Sequence, residues 1–317
     1  MVIPQSSLDQ VLVLLLPVIR QYLAKRLTTT DTLPPFVLGL TGLQGSGKST
    51  WADALAVALQ EQHQYKVINV SLDDFYHDHE TLVRIRRESG GNPLLQTRGQ
   101  PGTHDVRLAT DFFAALSQGR EEVRIPRFDK ARFDGEGDRV PQEEWQCVTP
   151  PIDVIIFEGW CLGFQALHSQ DLTARWQRSR QQKDKDIGTQ QAQGRDPRFT
   201  TETLADIDLQ YLLAVNTALE TYNKNFMAQD RFNSFVHLDT DDLENVYRWR
   251  LDQEHALWRA RGAGMTDEAV IKFVRGYMPS YELYLDRLRR QSFAEPPGCH
   301  LRVILDKQRN VNRVECI

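Results

Sequence analysis

The sequence predicts an α/β fold: a five-stranded parallel sheet flanked by helices and completed by a lid. Three observations lead there. An apolar run at 36–40 passes straight into the glycine-rich segment GLQGSGKST at 42–50. Two further apolar runs, at 66–72 and 153–157, each end in acidic residues, and stretches of helical periodicity separate the runs.

The glycine-rich segment is the most informative of the three. Gly42, Gly47, Lys48 and Ser49 fill the G-x-x-x-x-G-K-[ST] phosphate-loop pattern, between the strand and the helix that the pattern requires. Across Gly42, Leu43, Gln44, Gly45, Ser46, Gly47, Lys48, Ser49 and Thr50, backbone N–H groups curl around phosphate oxygens. Lys48 reaches the β- and γ-phosphates, and the Ser49 hydroxyl ligates Mg²⁺. The chain is therefore expected to bind a nucleoside triphosphate.

Composition narrows the partners. A chain of 317 residues, 41% hydrophobic and 26% charged, suits one sizeable α/β core. Its formal net charge of −5 gives no basic footprint, which argues against nucleic acid and anionic membrane and for a small-molecule substrate. Cys147, Cys161, Cys299 and Cys316 match no metal spacing and read as reduced thiols of a cytoplasmic protein. The apolar run 11–19 is far shorter than the roughly 20 residues that span a bilayer. It fits a buried helix over 8–27 beside the core.

After that helix, 28–35 (TTTDTLPP) is a polar, proline-terminated connector, so 1–35 forms an N-terminal helix and linker. The strand at 36–40 is apolar on both faces, as a central parallel strand covered by helices should be. A helix over 48–62 aligns Trp51, Leu55, Ala58 and Leu59, and a strand at 66–72 completes a right-handed β-α-β unit. Ligands of such sheets sit beyond the carboxyl ends of the strands, where Asp73 and Asp74 follow. Asp73 can accept the proton of an attacking hydroxyl, with Asp74 supporting magnesium or substrate; the structural alternative is a helix N-cap. His77, Asp78, His79 and Glu80 have metal-ligand chemistry but no standard spacing, and read as a solvated first helical turn.

The segment 90–105, rich in glycine and proline, predicts an ordered loop at the same face, with Asp105 capping a helix, contacting substrate, or both. In 125–139, Arg127, Lys130, Arg132 and Arg139 either hold an anion or form a charged surface turn. The strand at 153–157 ends in Glu158, a carboxylate placed to hold magnesium or its water. The stretch 174–200 lacks apolar periodicity and reads as an exposed, partly disordered polar insertion. A helix over 204–226, a strand at 235–238, a helix carrying Arg248 and Arg250, a helix over 267–288 and a last strand at 301–305 complete the order. The region 240–262 is either a solvated charged helix or a lid that brings an arginine to the transferring phosphoryl group.

The segments GLQGSGKST, SLDDFY, NPLLQTRGQPGTHD, IPRFDKARFDGEGDR, DVIIFEGWCLGF, YRWRLDQEHALW and MTDEAVIKFVRGYMPSYELY together resemble the plant- and fungal-type D-glycerate 3-kinases. That family lies within the phosphate-loop kinases that include phosphoribulokinase, uridine kinase and pantothenate kinase. The resemblance runs from Phe36 to the end, excepting 174–200. It implies a single kinase domain using ATP and Mg²⁺ to convert D-glycerate to 3-phosphoglycerate. By the same resemblance Lys48, Asp73, Glu158 and Arg248 are catalytic, Ser49, Glu158 and Asp73 face the metal, and Arg250 joins the phosphate loop on the nucleotide. Asp74, Tyr76, Arg98, His104, Asp105, Arg127, Lys130 and Arg139 fall on the acceptor side. The rival readings are the same fold acting on a nucleoside, pantothenate or a sugar phosphate, and a nucleotide-dependent switch or assembly ATPase. The paired Asp73 and Asp74, and the absence of an aspartate in NKNF at 223–226, speak against a guanine switch.

Overall fold

The computed structural model describes residues 3–28, 34–118, 122–186, 196–262, 264–294 and 299–317. At its centre is strand β1 (Phe36–Gly42), buried at all seven positions. Strands β2 (Val67–Ser71), β3 (Val154–Gly159), β4 (Ser234–Asp239), β5 (His300–Leu305) and β6 (Val311–Cys316) complete one sheet in the order β6-β5-β4-β1-β3-β2. The first five strands are parallel, so their carboxyl ends share one edge. β6 is a sixth strand, antiparallel to β5, which corrects the expected five-stranded sheet. Its sequence VNRVEC is half polar and exposed along much of its length, as an edge strand is, so it offers no apolar run to read.

Helix α2 (Lys48–His63) lays Trp51, Ala52, Leu55, Ala56, Ala58 and Leu59 on the sheet. Helix α1 (Gln5–Thr28) buries Leu8, Val11, Leu12, Leu15 and Ile19 in the same core, and the Arg26 guanidinium donates to the Ile152 carbonyl at 2.7 Å. At 24 residues α1 is longer than its apolar run suggested, and it is long and apolar enough to cross a membrane. Among the described residues four helices follow before β4: α3 (His79–Glu88), α4 (Val106–Ser117), α5 (Ser169–Asp186) and α6 (Leu209–Asn223).

Helix α5 revises the reading of 174–200. Its sequence is polar, but Trp176 donates from Nε1 to the Ile207 carbonyl at 2.8 Å and Arg175 donates to the Leu283 carbonyl at 2.8 Å. With Arg180 on the Ala205 carbonyl, Lys183 on Asp206 and Leu172 buried, these side chains dock one side of a helix that is otherwise solvated. Residues 187–195 of that stretch, and 29–33 of the connector, lie outside the described residues. The helix expected over 204–226 is a 3₁₀ turn, Leu204–Asp206, followed by α6.

Two helices follow β4: α7 (Glu244–Arg261) and α8 (Asp267–Arg275). The helix expected over 267–288 therefore ends early. A break at Gly276 leads into a short turn, Met278–Ser280, a π-helical turn, Tyr281–Leu285, and a last helix, Asp286–Arg290. The four cysteines are free thiols.

Candidate active site

The phosphate loop turns at Gly45, whose φ is +82° and where an added Cβ would lie 2.7 Å from Trp249 Cβ; only glycine fits there. Gly47, at φ 89°, is the N-cap of α2 and supplies no side-chain cap, so the helix presents its first-turn N–H groups and positive dipole end to an anion. The loop is braced from behind by the Gln44 N–H, which donates to the Tyr281 hydroxyl at 3.1 Å. Ser46 Oγ is buried without a partner among the described residues. Lys48 Nζ reaches the Leu43 carbonyl at 3.4 Å. Burial lowers the pKa of this ammonium, with the charges of Glu158 and Asp73 opposing the shift.

Strand register brings two carboxylates to this loop. Glu158 of β3 stands beside Leu40 of β1 on one side and Ser71 of β2 on the other. Its Oε1 accepts from Ser49 Oγ at 3.0 Å and from Ser71 Oγ at 2.9 Å. Burial raises the Glu158 pKa, and Lys48 counters part of that shift. Ser71 also caps the 3₁₀ turn Leu72–Phe75 by accepting from the Asp73 N–H, which carries Asp73 into the crevice. There Asp73 pairs with the Lys130 ammonium. Burial alone would push Asp73 up, but the charges around it, Lys130 foremost and Lys48 among them, hold the carboxyl below the ordinary aspartate range.

Hard oxygen donors of this kind suit Mg²⁺. A hydroxyl and a carboxylate 3.0 Å apart, with Asp73 at the neighbouring strand end, can supply the few protein ligands that this ion takes beside phosphate and water. Among the described residues no group of three or more His, Cys, Asp or Glu side chains could enclose a metal.

These groups open into one crevice of about 880 Å³. Of the residues singled out in the sequence, Gln44, Gly45, Gly47, Lys48, Ser49, Thr50, Asp73 and Glu158 line it, as do Tyr76, Arg98, Lys130 and Arg250. The others do not. Asp74 turns away to accept the Phe128 N–H at 3.1 Å, and burial pushes its carboxyl up to about 6. Asp105 caps α4 through the Leu108 N–H and pairs with Arg139 at 3.1 Å; Arg139 also donates to the Tyr76 carbonyl. Both residues are occupied in holding the acceptor-side loops together. Arg127 is exposed, outside the crevice lining.

His104 is buried against Tyr76, ring centroids 4.2 Å apart. The Tyr222 hydroxyl accepts the N–H groups of Gly102 and His104, so its own proton points to His104 Nδ1, 3.0 Å away. Burial drives the His104 pKa down to about 3, leaving a neutral ring that shapes the wall under Tyr76.

Helix α7 separates its two arginines. Trp249 is fully buried behind the phosphate loop, so its neighbours emerge on different faces. Arg250 enters the crevice, pairs with Glu254 at 2.8 Å and lies 5.4 Å from the Phe273 ring centroid. Arg248, expected at the transferring phosphoryl group, instead pairs with Glu244 at 2.8 Å and lies over Phe199, outside the crevice. The crevice also contains groups not picked out in the sequence. Arg86 grips Glu136 through two hydrogen bonds of 2.8 and 2.7 Å, and Glu136 also meets His79. Trp160 and Tyr277 meet edge to face, centroids 4.7 Å apart. FEGW placed Trp160 next to a site carboxylate, which was a usable signal; Glu136 and Arg86, 50 positions apart, gave none.

No family model matches this chain. It is 39% identical over 277 residues to the Uncharacterized kinase mug58 of Schizosaccharomyces pombe, a match covering 87% of this chain and 89% of that one. It is 33% identical to the chloroplastic D-glycerate 3-kinase of Arabidopsis thaliana, over 88% of this chain and 54% of that protein. Its fold superposes on D-glycerate 3-kinase from Cryptococcus neoformans with a TM-score of 0.81 and 31% identity, over 98% of this chain and 99% of that one. The chain belongs to the D-glycerate 3-kinase family.

Members of the D-glycerate 3-kinase family are phosphate-loop kinases, and this protein is a kinase.

Proposed function

We propose that the protein transfers the γ-phosphoryl group of ATP to the 3-hydroxyl of D-glycerate, giving 3-phosphoglycerate and ADP. The observation that supports this best is the opposition, within one crevice, of the phosphate loop to an ionised Asp73 paired with Lys130, with Arg98 on the same acceptor-side wall. Similarity to a D-glycerate 3-kinase over almost the whole chain adds to it.

Asp73 takes the proton of the acceptor hydroxyl as that oxygen bonds to the γ-phosphorus and the bond to the ADP oxygen breaks. Lys130 keeps Asp73 ionised and ready. Lys48 and the N–H groups at the start of α2 stabilise the phosphoryl oxygens from the opposite side. Ser49 and Glu158 would hold Mg²⁺, which when bound neutralises charge on the β- and γ-phosphates.

The test is an ADP-release assay on the purified chain with D-glycerate, L-glycerate, nucleosides, pantothenate and sugar phosphates, followed by identification of the phosphorylated carbon. D-Glycerate is expected to be the best acceptor, phosphorylated at carbon 3. A better rate with any neutral acceptor, or phosphate on carbon 2, sinks the assignment.

A further inference from the structure

We infer that Arg98 sets acceptor specificity by receiving the carboxylate of a hydroxy acid, an inference that rests on the acceptor reading above and assigns one residue to it. The other cations of the crevice wall already have anionic partners: Arg86 with Glu136, Lys130 with Asp73, and Arg250 with Glu254. Lys48 belongs to the phosphate loop. Arg98 pairs with no carboxylate among the described residues, Asp134 of the same lining included.

What holds Arg98 is neutral. Its Nη1 donates to the carbonyl oxygens of Gly135 and Glu136, which orients the side chain and leaves its full positive charge uncompensated. The guanidinium carbon lies 5.3 Å from the Phe128 ring centroid and 6.0 Å from that of Tyr76, so two aromatic faces fix its plane. The backbone beside it is also fixed: the Gly99 carbonyl accepts from Trp160 Nε1 at 2.9 Å, and the Gly99 N–H donates to Thr103 Oγ1 at 3.1 Å. Nε and Nη2 have no partner among the described residues, so an edge of the guanidinium fork is open to accept a carboxylate in the two-bond geometry that this group favours.

The chemistry follows from that geometry. A hydroxy acid satisfies the free edge and its charge, whereas a neutral alcohol of the same size leaves an ordered cation without a partner, which penalises the wrong acceptor. Arg98 thereby selects the acceptor class, and Asp73 acts on the hydroxyl.

The experiment uses the full chain, with initial rates measured for D-glycerate and for glycerol, and separate KM values for D-glycerate and ATP in the wild type, Arg98→Gln and Arg98→Lys. Glutamine keeps an amide to donate to the two carbonyls while removing the charge. Arg98→Gln is expected to raise the KM for D-glycerate about 10- to 100-fold with the KM for ATP unchanged. Arg98→Lys is expected to recover part of the loss. Equal rises in both KM values would mean a purely structural role, and an unchanged KM for D-glycerate would remove Arg98 from the acceptor site; either result overturns the inference. A wild type without preference for D-glycerate over glycerol overturns the acceptor reading and this inference together. A clear wild-type preference that survives in Arg98→Gln overturns the inference alone.

Discussion

Arg309 donates from Nε to the carbonyl oxygen of Gly45 at 3.1 Å, and from Nη2 to that of Trp249 at 3.1 Å. One side chain from the turn between β5 and β6 thus ties the phosphate loop to helix α7. Its removal should loosen the loop without touching the acceptor. Arg309→Ala is expected to raise the KM for ATP about 10-fold, and Arg309→Lys by less, while the KM for the acceptor stays close to that of the wild type. Initial rates with ATP varied at saturating acceptor check this; an unchanged KM for ATP would show that the loop holds its shape unaided.

Asp73 is the one acid of the Asp73-Asp74 pair in the crevice. Asp73→Asn is expected to keep ATP affinity and lose roughly 10²- to 10⁴-fold in turnover, the usual share of a general base. Nucleotide titration beside single-turnover rates separates the two quantities. Near-normal turnover would take the proton-accepting role away from Asp73.

The pH profile should depend on Lys130. Burial raises the Asp73 pKa and the charges around it, the Lys130 ammonium foremost, more than reverse it, so the wild-type acidic limb should lie below the ordinary aspartate range. Without the ammonium, burial acts unopposed by its strongest partner. In Lys130→Met the acidic limb of the kcat profile is expected to move up toward neutrality. A limb that does not move in the variant would separate Lys130 from the ionisation of Asp73.

The two arginines of α7 should behave differently. Arg250 lines the crevice, whereas Arg248 is bound to Glu244 outside it. Arg250→Ala is expected to reduce kcat/KM for ATP by about 10-fold or more, with Arg248→Ala closer to wild type. The reverse order would mean that α7 rotates on nucleotide binding.

A stability prediction comes from Glu282, which accepts the N–H groups of Thr203 and Leu204 and the Thr203 hydroxyl. Burial raises its carboxyl from 4.5 to about 7. The fold therefore favours the protonated form: its stabilising contribution is complete below the unfolded pKa and disappears as pH rises through about 7. Glu282→Gln keeps an acceptor oxygen and cannot ionise. Its melting temperature is expected to exceed that of the wild type at pH 8 and to match it more closely at pH 5, and a gap of equal size at both values would exclude the ionisation as its cause.

How much of this was legible in the sequence depended on range. The phosphate loop, Asp73 and Glu158 are local: buried strands read as unbroken apolar runs, and the chemistry follows at their ends. The choice between Arg248 and Arg250 needed the helical phase, which buried Trp249 fixes only once its packing against Gly45 is known. Asp105 followed its capping signal, and Arg139, which could have held an anion, is occupied by the cap it supports. Arg309 was invisible because a guanidinium reaching two distant carbonyls leaves no spacing pattern, and it stands in a hairpin whose second strand was itself too polar to recognise.

The sheet order has a further consequence. Asp73, Arg86, Arg98 and Lys130 all come from the stretch of chain that links β2 to β3, on one side of β1. Helix α7 follows β4 and Arg309 follows β5, on the other side. One contiguous stretch of chain therefore supplies the crevice groups to which the proposal above assigns the acceptor, and a separate later portion grips the phosphate loop. Under that proposal, rewriting this single cassette would exchange the acceptor and leave the machinery for ATP as it stands.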